Sequence, residues 1–486
     1  MERQRESRPA PGAATQSDGA NGAGGDTIAA VSTAPGRAAV AVIRLSGPQA
    51  GAALNALAGR LPEPRRATLA TLRDAAGGRL DQALVLWFPS PRSATGEDMA
   101  ELQVHGGRAV VAAVLEALWR VPGLRPAEPG EFTRRAFLNG RMDLAAVEGL
   151  ADLLAAETEG QRRLALAHAF GHLGARVEGW RNRLVRAMAL VEAGIDFTEE
   201  EDIPRNARAL ARPEIAALAE ELAAALSDRR GELVREGAHI AIAGLPNAGK
   251  SSLLNALAAR DIAIVSDEPG TTRDVLEVAL DLGGHKAVLI DTAGLREVGA
   301  GAVEAEGIRR ARARIAGADL VLWVHDAAAG PPPVAAPDVA RAPGAPLWLL
   351  ANKADRVGDG AAAPGDSDTA APVPPRPAPA WAAATLALSA RTGLGLDALA
   401  AALSAWLAAR VAVAGEHPAL IRDRHRAAAR EVADRLALVL REWEGLEDEL
   451  LAEELRLAAA ALGRITGRIG VEDLLDVVFR EFCVGK

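Results

Sequence analysis

The sequence predicts a multidomain protein of the α/β plus α class. It reads as an N-terminal α+β domain, a discontinuous helical bundle, and a doubly wound phosphate-loop α/β domain inserted into that bundle. From Ala238 to about Arg410, short apolar runs alternate with helical spacing, the pattern of a parallel sheet covered on both faces. The flanking stretches, Asp143 to Arg235 and Pro418 to Phe482, are Ala/Leu-rich with helical periodicity and few breakers. The first part, Asp26 to Met142, mixes strand-like runs with a helix between Gly and Pro punctuation.

Bulk properties agree with this division. A length of 486 residues suggests about three domains at roughly 150 residues each. Hydrophobic content of 49% and charged content of 24% describe a globular chain able to bury large cores. The net charge of −9 gives no global basic field for nucleic acid or an anionic membrane. Local basic clusters (Arg134-Arg135; Arg309, Arg310, Arg312, Arg314; Arg422, Arg424, Arg426) read as solvated helix faces. The single cysteine, Cys483, excludes an internal disulfide and fits a reducing cytoplasm. No apolar run approaches the ~20 residues of a membrane span. Residues 1–25 are charged and then Gly/Ala/Ser-rich without an apolar core, as in a disordered tail.

In chain order, residues 26–142 offer strands at Ala39–Ile43 and Ala83–Phe88 and a helix at Val110–Leu118. Residues 143–236 form the first helical part, ending in helices over Arg212–Arg235. The acidic stretch Ile195–Pro204 between them reads as a solvated turn. Residues 237–413 form the nucleotide domain, with strands at Ile240–Ala243, Ala287–Ile290, Asp319–Val324, Leu347–Leu350 and Thr385–Leu388. Within it, 356–384 is Pro/Ala/Gly/Asp-rich and reads as a disordered surface insertion. Residues 414–486 return to helical texture and rejoin the first bundle segment.

The chemistry is written in short motifs. The run Gly244-Leu-Pro-Asn247-Ala248-Gly249-Lys250-Ser251, followed by Ser252, is a phosphate loop between a strand and a helix. Its backbone N–H groups curl around an anion, Lys250 reaches the outer phosphates, and Ser251 can sit on Mg²⁺. Asp291, Thr292, Ala293 and Gly294 end another strand, where the Asp can hold Mg²⁺ through water. Asn352, Lys353, Ala354 and Asp355 end a third. A carboxylate there accepts from the ring N–H and exocyclic amine of guanine, a donor pair adenine lacks. Ser389, Ala390 and Arg391 follow the last strand and supply a contact to the base carbonyl. Between the phosphate loop and Asp291 lie Ser266, Asp267, Glu268, Pro269, Gly270, Thr271 and Thr272, with Thr272 a second hydroxyl for Mg²⁺. In this order, each at a strand end, these motifs specify a GTPase.

The residue after Gly294 is Leu295, which cannot orient an attacking water as a glutamine would. Asn247 carries an amide oxygen beside the phosphates. From chemistry alone it reads equally as a turn former or as a ligand for a monovalent cation.

The motifs PGRAAVAVIRLSG, TGEDMAELQVHGG, RPAEPGEFTRRAFLNGRMDLAAVEGLADL and ITGRIGVEDLLDVVFREFCVGK, with the nucleotide motifs, resemble the MnmE (TrmE) family from Asp26 to Lys486. The resemblance implies a potassium-activated GTPase whose G domains dimerise across their nucleotide faces. It implies K⁺ ligands at Asn247, Ser266, Glu268 and Thr271, and Mg²⁺ ligands at Ser251 and Thr272. The family's water-positioning glutamate matches Glu304, with Glu297 and Glu306 close by. An N-terminal domain that dimerises and binds a (6S)-5-formyl- or 5,10-methylene-tetrahydrofolate is implied too, through Arg44, Glu101, Arg141 and Lys486. On residue chemistry alone, Arg44 and Glu101 read as structural charges beside apolar strands, and Arg141 stands where the family carries a lysine. Cys483 matches the cysteine of the family's terminal Cys-x-Gly-Lys, implicated in the tRNA step.

The resemblance further implies a homodimer that works with an MnmG-like, FAD-dependent partner, FAD residing only on that partner. The two add a carboxymethylaminomethyl or aminomethyl group to C5 of the wobble uridine, position 34, of certain tRNAs. Two other classes share some of these features: a ribosome-assembly switch GTPase, and a folate-dependent transferase with a regulatory G domain. Folate binding separates the first. Loss of tRNA modification in a Lys250→Ala variant that keeps folate counts against the second.

Overall fold

Period-two alternation decides the N-terminal unit. The computed structural model describes residues 25–196, 207–260, 262–264, 277–291, 316–339, 341–357, 378–412, 420–469, 478–479, 482 and 484–485. The chain divides into two compact units, Met1–Met142 with Glu472–Lys486, and Asp143–Val471.

The first unit runs β1 (Thr27–Val31), β2 (Ala38–Ser46), α1 (Ala50–Ala58), β3 (Thr68–Arg73), β4 (Arg79–Phe88), β5 (Met99–Gly106), α2 (Arg108–Trp119), β6 (Leu124–Pro126) and α3 (Glu131–Leu138). Its sheet has the order β3-β4-β5-β2-β1-β6. All pairings are antiparallel except β1 with β6. Ile43, Leu45, Trp87 and Leu102 point to one face and pack on Leu54, Leu57, Val114 and Leu118 of α1 and α2. Side chains alternate along a strand, so Arg44 and Glu101 fall on the other face. There too, Leu69 and Leu84 lie directly opposite each other, 58% and 42% exposed. The end of the chain is pinned to this unit. Val484 bridges Pro129, the Ser32 hydroxyl donates to the Gly485 carbonyl at 2.9 Å, and Phe479 and Phe482 are buried.

The second unit begins with α4 (Leu144–Leu154), α5 (Glu159–Ala169), α6 (His172–Asp196), α7 (Ala207–Ser227) and α8 (Arg230–Glu236). It continues with β7 (Ala238–Gly244), α9 (Lys250–Ala258), β8 (Glu277–Asp281), β9 (Lys286–Asp291), β10 (Leu320–Asp326), β11 (Leu347–Asn352), β12 (Ala384–Ala387) and α10 (Leu396–Val411). It closes with α11 (Asp423–Arg441) and α12 (Asp448–Thr466). Trp180 and Leu184 of α6, Leu218 and Leu222 of α7, Leu436 of α11 and Leu455 of α12 share one core. Helices from both sides of the sheet domain therefore make a single bundle. The sheet has the order β12-β11-β10-β7-β9-β8. Its core is double, with Ile242, Leu253, Leu322 and Leu399 on one face and Ala243, Ile290 and Val321 on the other.

Three readings change. The sheet is not wholly parallel, because β8 pairs antiparallel with β9 across a Gly283-Gly284 turn. Trp381, inside the stretch read as an insertion, packs against the second core and donates its indole N–H to the Pro333 carbonyl at 3.0 Å. Residues 358–377 of that stretch lie outside the described residues, as do 1–24 and 197–206.

The third change concerns arginines. Arg135 is 2% exposed and pairs with Asp26, Glu97 and Glu131. Arg424 grips Glu148, its Nε 2.6 Å from Oε1, and Arg426 pairs with Glu232 at 2.8 Å. Asp152 Oδ1 accepts from both Arg422 (2.8 Å) and Arg235 (3.1 Å). These groups are not solvated faces; they are neutralised inside the fold, where an unpaired charge is costly. The cluster from Arg309 to Arg314 lies outside the described residues.

Candidate nucleotide site

Strand β7 delivers the chain into the phosphate loop, and close approach explains its glycines. A Cβ at Gly244 (φ +152) would run into the Val324 carbonyl, and one at Gly249 (φ +96) into the Asn352 amide. Asn247 adopts φ +62 without being glycine, a conformation Asn tolerates better than most residues. The turn-forming role is thus realised, with the Asn247 side chain exposed. Helix α9 follows at Lys250 with Gly249 as N-cap and no side-chain cap. Its first-turn N–H groups are the donors an anion takes up.

Lys250 is buried, and its ammonium donates to the carbonyls of Gly244 (3.1 Å) and Leu245 (2.9 Å). Ser251 Oγ donates to Asp291 Oδ2 at 2.8 Å. A hydroxyl beside a carboxylate, next to a phosphate cradle, is the oxygen set Mg²⁺ prefers. Ser252 is exposed in the first turn of α9.

The base end is built by the tips of β11 and β12. Asn352 Nδ2 donates to the Ala248 carbonyl (2.8 Å) while its Oδ1 accepts from the Ala390 N–H (3.0 Å). One side chain thereby ties the phosphate loop to the loop after β12. Lys353 donates to the Asn247 carbonyl at 2.8 Å. Asp355 is held below the usual carboxylate range by hydrogen bonds from Ser389 and from Arg391, the latter at 2.8 Å. It stays an acceptor at neutral pH, as guanine recognition requires. Asp326 was not singled out in the sequence. Its signal was a carboxylate at the C-terminal end of a parallel strand, and it pairs with Lys353 at 2.7 Å.

In the N-terminal unit, register places Arg44 opposite Glu101. Both Nε and Nη2 of Arg44 reach Glu101 Oε1, at 3.1 and 2.9 Å. The guanidinium also lies 5.9 Å from the Phe132 ring centroid. Arg141 is exposed, with its stem close to the Gly96 turn. Among the described residues it forms no ion pair with that couple. Ser266 to Thr272, Thr292 to Gly294, Glu304, Cys483 and Lys486 lie outside the described residues.

Comparison with known proteins agrees along the chain. A family profile described as the MnmE helical domain matches residues 144–483, and one described as GTP-binding protein TrmE N-terminus matches 27–141. A tRNA modification GTPase MnmE of Parvibaculum lavamentivorans is 52% identical over 465 residues, 95% of this chain and 100% of the relative. That of Rhodospirillum rubrum is 52% identical over 477 residues, 95% and 99% of the two chains. That of a Bradyrhizobium species is 49% identical over 463 residues, again 95% and 99%. With both profiles matching and half the residues identical along nearly the whole length, the chain belongs to the MnmE (TrmE) family.

Proposed function

We propose that this protein binds and hydrolyses GTP in the course of tRNA modification, acting as a homodimer in the cytoplasm. With an MnmG-like FAD-dependent partner it adds a carboxymethylaminomethyl or aminomethyl group to C5 of uridine 34. The observation that carries the reading is the gathering of Lys250, Ser251 with Asp291, Asn352 and Asp355 at the C-terminal ends of β7, β9 and β11. The relatives' name supplies the tRNA side of it.

Each residue has a task in this scheme. The loop N–H groups and Lys250 neutralise the phosphates, Ser251 and Thr272 would hold Mg²⁺ with Asp291 acting through water, and Asp355 selects guanine. Leu295 cannot orient water, so that task falls to Glu304, while Asn247, Ser266, Glu268 and Thr271 would hold K⁺, which would supply charge balance beside the phosphates. Arg44 and Glu101, which pair with each other across β2 and β5, would hold the folate, with Arg141 and Lys486 lending charge. Cys483 serves the tRNA step. The opposed, exposed Leu69 and Leu84 favour pairing of two N-terminal units. Among the described residues no helix is long and apolar enough to cross a membrane.

The test is GTP hydrolysis by the full chain in KCl and in NaCl at equal ionic strength. We expect the K⁺ rate to exceed the Na⁺ rate by about 10²-fold, the scale of one lost charge-stabilising contact. Equal rates would remove the cation from the scheme. For the tRNA step, nucleosides from cells lacking the protein should lose the modified uridine mass, and an unchanged profile would refute the role.

A further inference from the structure

Two consecutive residues at the end of β11 hold two consecutive carbonyls of the phosphate loop, Asn352 that of Ala248 and Lys353 that of Asn247. The peptide unit is planar, so anchoring a carbonyl also fixes the direction of the N–H across the same bond. The Asn247 carbonyl matters most, because Asn247 occupies the left-handed region (φ +62). Asparagine tolerates that conformation better than most residues, yet it still costs more than an extended backbone, so an anchor on the carbonyl helps to hold it.

Lys353 alone is a poor anchor. Its ammonium sits on a flexible four-carbon stem and can rotate among acceptors. Asp326 removes that freedom. It ends β10 in register with Asn352, and its Oδ2 accepts from Lys353 Nζ at 2.7 Å. Its Oδ1 accepts from the Ala328 N–H at 3.0 Å, capping the short 3-10 turn Ala327–Ala329. The carboxylate is therefore held at both oxygens, and the pair is three-quarters buried, each side chain being 24% exposed.

We propose that Asp326 is a positioning residue for the nucleotide. Acting through Lys353, it fixes the Asn247 carbonyl and presents the phosphate loop preformed. The inference rests on the reading of this loop as the GTP site. The hydrogen bond from Lys353 holds the Asp326 carboxyl below the usual carboxylate range, so the anchor is charged at neutral pH.

Asp326→Asn tests it, because asparagine keeps an oxygen for the Ala328 N–H but sets an uncharged NH₂ donor where the carboxylate oxygen accepted from Lys353. Fluorescently labelled GDP is titrated into the full chain, and thermal unfolding is followed without nucleotide. The variant should bind GDP about tenfold more weakly, the loss of one charge-assisted bond. Its nucleotide-free Tm should stay within about 2 °C of the parent, because the cap persists. In a Lys353→Met background the same substitution should add less than about twofold, since residues acting as one unit are non-additive. An unchanged Kd in Asp326→Asn, or a full tenfold loss that persists without Lys353, would overturn the proposal. A parent chain that fails to bind GDP would remove the GTP reading and this inference together; a parent that binds GDP beside an unaffected variant would remove only the inference.

Discussion

Asp355→Asn should cut kcat/KM for GTP by ~10⁴-fold and raise that for xanthosine triphosphate, exchanging the preferred base. The carboxylate accepts from two guanine donors, the ring N–H and the exocyclic amine. An amide accepts one and turns its own N–H toward the other, so a buried donor is left unpaired, which is how sites built on hydrogen bonds reach such ratios. Xanthine carries an oxygen where guanine carries the amine and restores the match. Ser389 is 1% exposed and helps fix the side chain, so a rotated amide finds little room. Steady-state kinetics with both nucleotides decide the matter. GTP activity within tenfold of the parent would exclude this carboxylate as the guanine reader. The Arg391 partner is largely exposed, at 73%, so the stability of the fold should barely change.

The second large effect is on stability. Glu148, 3% exposed, takes hydrogen bonds from Arg424 Nε (2.6 Å) and His425 Nε2 (2.8 Å). Removing one member of a buried charge network strands the others, at a cost of about 3–5 kcal/mol. Glu148→Ala should therefore lower the urea midpoint of the bundle strongly. Glu63→Ala, which breaks an exposed pair with Arg66, each side chain 73% exposed, should cost less than about 1 kcal/mol. Similar midpoints for the two variants would contradict the buried network.

The same cluster sets an acid limit. Burial pushes the Glu148 carboxyl up, but hydrogen bonds from His425 and Arg424 outweigh it and hold the group at about 2, below its ordinary 4.5. Burial, aided by the charge of His425, pushes His168 down to about 4 from 6.5. Both groups bind fewer protons folded than unfolded, so each contributes stability that is complete above its unfolded value and lost as pH falls. His168 should weaken the bundle from about pH 6.5 to 4, and Glu148 from about 4.5 to 2. The slope should approach 1.4 kcal/mol per pH unit for each group in its window. In Glu148→Ala the part below pH 4.5 should flatten.

The candidate nucleotide site was legible, among the described residues, because its signals are local. A phosphate loop needs glycines where backbone meets backbone, and each further motif sits where an apolar run stops. The strands Ala287–Ile290 and Leu347–Leu350 fall within one or two residues of β9 and β11 for the same reason. The edge strand β8 was missed because it is five residues long and half-buried, with too little periodicity to register; the adjacent glycines of its hairpin were the usable signal. The arginines misled for another reason. Arg424 looks like surface until Glu148, 276 positions away, is brought to it, and nothing local announces a partner that distant. Asp326 was hidden in the same way, as half of a pair completed only by the sheet.

The acid Asp152 binds Arg235, just before the inserted sheet begins, and Arg422, just after it ends. The two crossings of the chain thus leave and rejoin the bundle at one point. In polymer terms the inserted domain is a long loop whose ends are already together, and the entropy of closing such a loop grows only with the logarithm of its length. The bundle should therefore be nearly indifferent to what the loop contains. Insertions between those crossings, such as the proline-rich stretch within the sheet domain, could accumulate over evolutionary time with little penalty to the helices that carry them.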